Sequence, residues 1–187
     1  LRDLSDFLTA QGEKAFRAKQ IWQWIWQRGV TDFAEMSNLS KATRELLSRH
    51  YFFDSLFPQQ VHTASDGTEK TAWRLTDGEI VESVLIPGNQ KFTVCVSSQV
   101  GCQLGCKFCA TGTLGFKRNL TAGEIFEQVV RAQQAAEAQG QPLSNIVFMG
   151  MGEPLLNYEQ VLRAIERITA QDGLAMSPYR ITVSTAG

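Results

Sequence analysis

The chain has 187 residues, with 18 Lys plus Arg against 19 Asp plus Glu and 43% apolar content. That composition is too apolar for a disordered chain, and no run approaches the roughly eighteen apolar residues of a membrane span. A net charge of −1 supplies no global attraction for a polyanion. The opening Leu1-Arg2-Asp3-Leu4-Ser5-Asp6 lacks the basic and apolar regions of a secretory signal, so a cytoplasmic protein with no membrane partner is expected.

Residues 1–57 read as a small helical accessory domain. Phe16, Ile21, Trp22, Ile25 and Trp26 share a broad helical stripe, and Gly29 is placed to end that helix in the left-handed conformation. Trp24 sits about 160° from both Trp22 and Trp26 around the helix axis, so it either packs on a second element or offers an aromatic face. Packing on a neighbouring helix is the simpler expectation. Ser40 predicts the N-cap of a further helix running to Arg49.

Residues 58–91 change to strand grammar. Two Asp-Gly reversals, at Asp66-Gly67 and Asp77-Gly78, separate three short strands and predict an antiparallel meander, with Pro87-Gly88 as the break before the cysteines.

From residue 92 to 187 strand and helix alternate. A strand over 92–97 leads into the cysteine loop, and Thr121 with Glu124 predicts a capping box, with Leu120 and Ile125 as its hydrophobic staple. The apolar run 145–151 suits a strand buried on both faces. Asn157 predicts the next N-cap, Leu156 with Val161 a second staple, Asp172-Gly173 the helix stop, and 179–185 a third strand. Strand, helix, strand, helix, strand is a parallel α/β unit. A parallel sheet ending on a hydrophobic strand presents a pairing edge. Further βα units, which would extend the sheet or close it into a barrel, are therefore expected beyond Gly187.

All four cysteines, 95, 102, 106 and 109, fall in one short segment rather than being scattered to staple distant loops. Cys102, Cys106 and Cys109 form a CxxxCxxC spacing just past a strand. Three thiolates on one loop suit three irons of a cubane cluster and leave the fourth iron open. Structural zinc prefers four ligands, and neither His50 nor His62 has ligand spacing to the loop. Iron–sulfur is therefore preferred, with zinc in a non-catalytic RNA-binding module as the alternative. Residues 95–120 carry Lys107, Lys117 and Arg118 and no acid, a basic stretch that can face an anion or lower a neighbouring thiol pKa.

Ser97-Ser98-Gln99-Val100-Gly101-Cys102, Gly115-Phe116-Lys117-Arg118-Asn119-Leu120 and Gly150-Met151-Gly152-Glu153-Pro154-Leu155-Leu156-Asn157, together with Phe108 before the last loop cysteine, resemble the radical S-adenosylmethionine RNA methyltransferases of the RlmN/Cfr family. The likeness extends across essentially the whole chain and is greater to the RlmN branch, Val100 between Gln99 and Gly101 resembling RlmN more than Cfr at that single position. It implies the N-terminal portion of a partial (β/α) radical-SAM barrel, preceded by the helical domain and the meander. It also implies methylation of carbon 2 of an adenosine in 23S rRNA and in a tRNA anticodon loop, through a methyl-cysteine intermediate. A Cfr-type enzyme would methylate carbon 8.

The resemblance assigns Cys102, Cys106 and Cys109 to a 4Fe-4S cluster, and Gly152, Glu153 and Ser184 to S-adenosylmethionine, with the Glu153 carboxylate receiving its ammonium group. Glu82 becomes the proton acceptor and Cys95 the resolving thiol that breaks a covalent protein–RNA intermediate. A disulfide bond, an external one-electron reductant of flavodoxin type, a monomeric state and a flipped target base are implied as well. Trp24 and Arg28 are candidate RNA contacts. The family's methyl-carrying cysteine lies later than any cysteine present here, so the chain alone is expected to be inactive.

Overall fold

The computed structural model describes residues 2–53 and 56–187. Two units are distinguished, Leu1–Phe53 with Thr169–Ala175, and Asp54–Ile168 with Met176–Gly187.

The first unit contains α1 (Arg2–Ala10), α2 (Phe16–Trp26), a 3-10 turn (Phe33–Glu35) and α3 (Lys41–His50). Leu8, Ala18, Ile21, Phe33, Met36 and Leu47 form its buried core. The Ser40 hydroxyl accepts the Thr43 amide at 3.1 Å and opens α3, and Gly29 takes φ 62° just past α2, as the sequence predicts. The predicted stripe of α2 is displaced. Phe16 is exposed, whereas Trp24 packs against the core. Its indole donates to Asn38 at 2.6 Å and the Arg28 guanidinium lies 4.1 Å above its ring. Ala18 and Ile21 are the fully buried pair of α2, and Ile25 continues their face at i+4. Trp22 and Trp26 meet each other with ring centroids 5.4 Å apart, and Trp22 donates to Asp172 at 3.0 Å.

The second unit is mixed α/β. The meander is β1 (Phe57–Thr63), β2 (Glu69–Arg74) and β3 (Ile80–Gly88), followed by β4 (Lys91–Cys95). Asp66 and Asp77 accept the amides of Thr68 and Glu79 inside the two reversals, where Gly67 and Gly78 have positive φ. Pro87-Gly88 does not break the chain as expected. β3 runs through both residues and pairs antiparallel with β4, the reversal falling at Asn89-Gln90, where Gln90 adopts φ 56°.

Beyond β4 come β5 (Gln99–Gly101), α4 (Ala110–Thr113), β6 (Phe116–Asn119), α5 (Ala122–Ala138), β7 (Leu143–Phe148), α6 (Tyr158–Thr169) and β8 (Ile181–Val183). The main sheet has the order β1-β2-β3-β4-β7-β8, and β5 and β6 form a separate two-stranded sheet. β4, β7 and β8 are parallel, so meander and parallel strands share one sheet. Burial alternates along β4 and β7, with Val94, Ile146 and Phe148 buried. α5 packs on those two strands and buries Ile125, Phe126, Val129 and Val130.

Thr121 and Glu124 close the expected capping box of α5. The expected cap at Asn157 is not made. A 3-10 turn (Pro154–Asn157) precedes α6, and its N-cap is Glu153, whose carboxylate accepts the Leu155 amide. Asn157 instead turns its amide inward to the carbonyls of Ser98, at 2.7 Å, and Leu120, at 2.8 Å. Leu156 is exposed, so the second staple is not buried. No helix among the described residues is long and apolar enough to cross a membrane.

Candidate functional site

Parallel sheets gather chemistry at the carboxyl ends of their strands, and residues 96–99 after β4 meet residues 150–153 after β7 there. Val96 donates to Val147 at 2.9 Å, Gly150 to Val96 at 3.1 Å, and Ser98 to Met151 at 2.8 Å. The Ser97 hydroxyl accepts the Met151 amide at 2.8 Å and donates to the Glu82 carbonyl at 2.6 Å. Gln128 of α5 brackets the same backbone, accepting the Ser97 amide at 2.9 Å and donating to the Ser97 carbonyl at 3.1 Å. Gly150 and Gly152 allow this approach. A Cβ on Gly150 would lie 2.8 Å from the Ser97 hydroxyl, and one on Gly152, at φ 99°, would lie 2.5 Å from Gln99 Cβ.

Glu153 is 7% exposed. Its carboxylate accepts the amides of Leu155 at 3.0 Å and Ala186 at 2.9 Å. Burial pushes this carboxyl up, but those two amides and the Thr185 hydroxyl outweigh it, and its pKa is lowered. Ser184 lies one residue past β8 and is exposed. Its neighbour Thr185 reaches Glu153, a contact that alternation along a strand does not reveal.

The three loop cysteines lie between β5 and β6, which pair antiparallel and close the loop at its base. This hairpin is absent from the sequence-based reading. All three thiols are partly exposed. The Leu104 amide donates to Cys102 Sγ at 3.4 Å, and the amides of Gly112 and then Thr111, with the Thr111 hydroxyl, lower the pKa of Cys109. Amide donors at sulfur and a tightly wrapped Gly112, whose Cβ would lie 3.0 Å from the Cys106 carbonyl oxygen, suit thiolate ligands. No three His, Cys, Asp or Glu side chains among the described residues are gathered closely enough to hold a single metal ion. A cubane asks for something different, since each of its thiolates takes its own iron. Three thiols on one short loop are, by their chemistry, the donor set such a cluster takes. Phe108, next to Cys109 in the chain, is 94% exposed.

Cys95 lies in a row that crosses five strands in register, namely Lys70, Val84, Cys95, Val147 and Thr182. Glu82, two residues before Val84, shares that face. Its carboxylate pairs with Lys70 at 3.0 Å with both side chains half-exposed. The expectation that nearby basic residues lower the Cys95 pKa is wrong. Burial pushes that thiol up, and the Met149 amide offsets this only in part. Arg118 points elsewhere, donating to Asp77 at 2.6 Å and Glu124 at 2.8 Å. Its charge is neutralised inside the fold, so the basic stretch is less cationic than its sequence suggests. All four cysteines are free thiols, and the implied disulfide is not formed among them. A cleft of about 510 Å³ beside Asn119, Leu156 and Tyr158 is lined by neither the cysteines nor Glu153.

Residues 96–187, which hold the cysteine loop behind the first parallel strand and the acid at the end of the second, match the family described as the radical SAM superfamily. Residues 1–52 match the ribosomal RNA large subunit methyltransferase N-terminal domain. The chain is 51% identical over 186 residues to the probable dual-specificity RNA methyltransferase RlmN of Cytophaga hutchinsonii, covering 99% of this chain and 51% of that protein. It is also 51% identical over 191 residues to the dual-specificity RNA methyltransferase RlmN of Oleidesulfovibrio alaskensis, covering 99% of this chain and 53% of the relative. A radical SAM methyltransferase from Sphaerobacter thermophilus superposes with a TM-score of 0.90 at 43% identity, over 98% of this chain and 54% of the other.

This chain is therefore similar over nearly its whole length to RlmN proteins, and its residues 1–52 and 96–187 each match a family model of that class. It spans about half the length of the curated relatives it matches. Its fold is the first part of a radical-SAM (β/α) barrel, preceded by a helical region and an antiparallel meander.

Proposed function

We propose that the protein containing this chain methylates carbon 2 of an adenosine in 23S rRNA and in the tRNA anticodon loop, through a methyl-cysteine intermediate. The observation that carries this reading is the bond from Glu153 to Gln99, which opens the strand leading into the Cys102–Cys106–Cys109 loop, in a chain similar to RlmN proteins over nearly its whole length. In this reading Cys102, Cys106 and Cys109 hold a 4Fe-4S cluster, and Gly152, Glu153 and Ser184 hold S-adenosylmethionine. The cluster and cofactor together supply reductive one-electron chemistry, fed by an external flavodoxin-like reductant.

Each protein group has a task in that scheme. Glu153 is an ionised, buried carboxylate already aimed by backbone donors, suited to an ammonium group. Glu82 takes the proton leaving carbon 2, and its half-exposed position beside Lys70 gives that proton a route to solvent. Cys95, held as a neutral thiol by burial, resolves the covalent protein–RNA adduct once it is deprotonated. The methyl-carrying cysteine is assigned to the remaining half of the protein, so the 187-residue chain alone is inactive. The helical region of residues 1–57 recognises RNA shape, residues 58–91 extend the catalytic sheet, and the whole acts as a cytoplasmic monomer.

The test is anaerobic reconstitution of the full-length protein, incubation with 23S rRNA, and mapping of the methylated atom by mass spectrometry. Methyl on carbon 2 and a brown protein that loses iron in Cys106→Ala are expected. Methyl on carbon 8, or a colourless zinc protein without transfer, would overturn the reading.

A further inference from the structure

Gln99 is 0% exposed, and its side chain spans the gap between the two halves of the site. Its Oε1 accepts the Glu153 amide at 2.9 Å, and its Nε2 donates to Asn119 Oδ1 at 2.8 Å. A backbone amide can only donate, so the Glu153 N–H fixes which end of the Gln99 amide faces it. Nε2 is thereby left as the donor, and this in turn orients Asn119, whose own amide donates to the Leu156 carbonyl at 3.4 Å. The relay starts at Glu153, the N-cap of the Pro154–Asn157 turn, and returns to the turn's third residue, Leu156. Gly152 packs on the aliphatic part of the same side chain, so closely that a Cβ would meet Gln99 Cγ at 2.7 Å. Meanwhile the backbone of Gln99 begins β5, the strand that leads directly into Cys102.

We infer that Gln99 is the positioning residue that sets the Glu153 carboxylate relative to the cysteine loop, with Asn119 holding Gln99 in its working orientation. The inference rests on the assignment of Glu153 to S-adenosylmethionine. One buried amide ties the peptide that aims the acid to the hairpin that carries the thiolates. Disturbing it therefore moves the cofactor acid without removing a cofactor contact or a cluster ligand. A glutamine that served only to fill the core would leave the cofactor indifferent once the fold was preserved.

The experiment uses the full-length protein with Gln99→Met, Asn119→Ala and Glu153→Gln variants. Three quantities are read, namely iron content, S-adenosylmethionine affinity by equilibrium dialysis, and hydrogen exchange of the Glu153 amide in cluster-free protein. Gln99→Met is expected to keep its iron, to bind S-adenosylmethionine roughly tenfold more weakly, and to lose protection at the Glu153 amide while β4 and β7 stay protected. Asn119, whose side chain reaches the surface, keeps the test alive if Gln99→Met fails to fold, and Asn119→Ala is expected to weaken binding severalfold. Unchanged affinity in Asn119→Ala, or in a folded Gln99→Met, would overturn the inference. If Glu153→Gln itself binds S-adenosylmethionine as tightly as the parent, the failure lies in the cofactor assignment instead.

Discussion

Gly101 shows how much of the site depends on single atoms. At φ 72°, a Cβ there would fall 1.7 Å from the Gly115 carbonyl oxygen, across the base of the cysteine loop. Gly105, inside the loop, has nothing within 4 Å of such a Cβ. Gly101→Ala is therefore expected to lower the unfolding free energy by at least about 2 kcal/mol, and Gly105→Ala to stay within about 0.5 kcal/mol, both read from urea midpoints. Equal shifts for the two would show that the hairpin gives way locally. Cys95 makes a second residue-scale case. Because burial raises its thiol pKa, its alkylation by iodoacetamide at neutral pH should be slower in the folded protein than in urea, as followed by peptide mass spectrometry. An equal rate in both states would contradict the burial argument.

At the scale of elements, features read correctly from the sequence depend on neighbours two to four positions apart. The Asp-Gly turns, the Ser40 cap and the Thr121–Glu124 box each close within a few residues, so pattern and geometry coincide. The misread features depend on distant partners. Asn157 has the local look of a cap, but its amide is taken by Ser98 and Leu120, far away in the chain. The β5–β6 hairpin consists of two very short strands separated by the whole cysteine loop, and no periodicity announces it. Arg118, in β6 of that hairpin, belongs to the stretch expected to face an anion or lower a thiol pKa, and is instead the partner of a buried carboxylate. Glu124 is almost fully enclosed, while Asp77 across from it is 41% exposed. Arg118→Met leaves the enclosed carboxylate without its cation and is expected to cost about 2–4 kcal/mol in urea unfolding. Asp77→Asn removes only an exposed partner and should cost well under about 1 kcal/mol. A larger loss from Asp77→Asn than from Arg118→Met would reverse the assignment of which pair matters.

Across the whole molecule, charges nearly balance at neutral pH, with 18 Lys plus Arg against 19 Asp plus Glu. Global repulsion therefore contributes little until the carboxylates are titrated. Three carboxyls are held below their ordinary range and give the pH dependence its sign; Asp66 is exposed and lowered chiefly by the Thr68 amide, while the other two are tied into the fold. Asp77 is held below its ordinary range chiefly by hydrogen bonding from Arg118. Glu153 is pushed up by burial but brought lower overall by the Ala186 and Leu155 amides and the Thr185 hydroxyl. Both are stronger acids folded than unfolded, so their stabilisation is complete above the unfolded carboxyl pKa and is lost as pH falls through the folded values. The urea midpoint should accordingly hold steady from pH 7 to about pH 5 and then decline steeply toward pH 3, where 18 Lys plus Arg and two His also lose their counterweight. Asp77→Asn removes one of the three depressed carboxyls, and its midpoint should decline more gently over the same interval. A decline as steep as the parent's would mean that the Asp77–Arg118 pair adds nothing to acid stability, leaving the burden to Glu153 and to net charge.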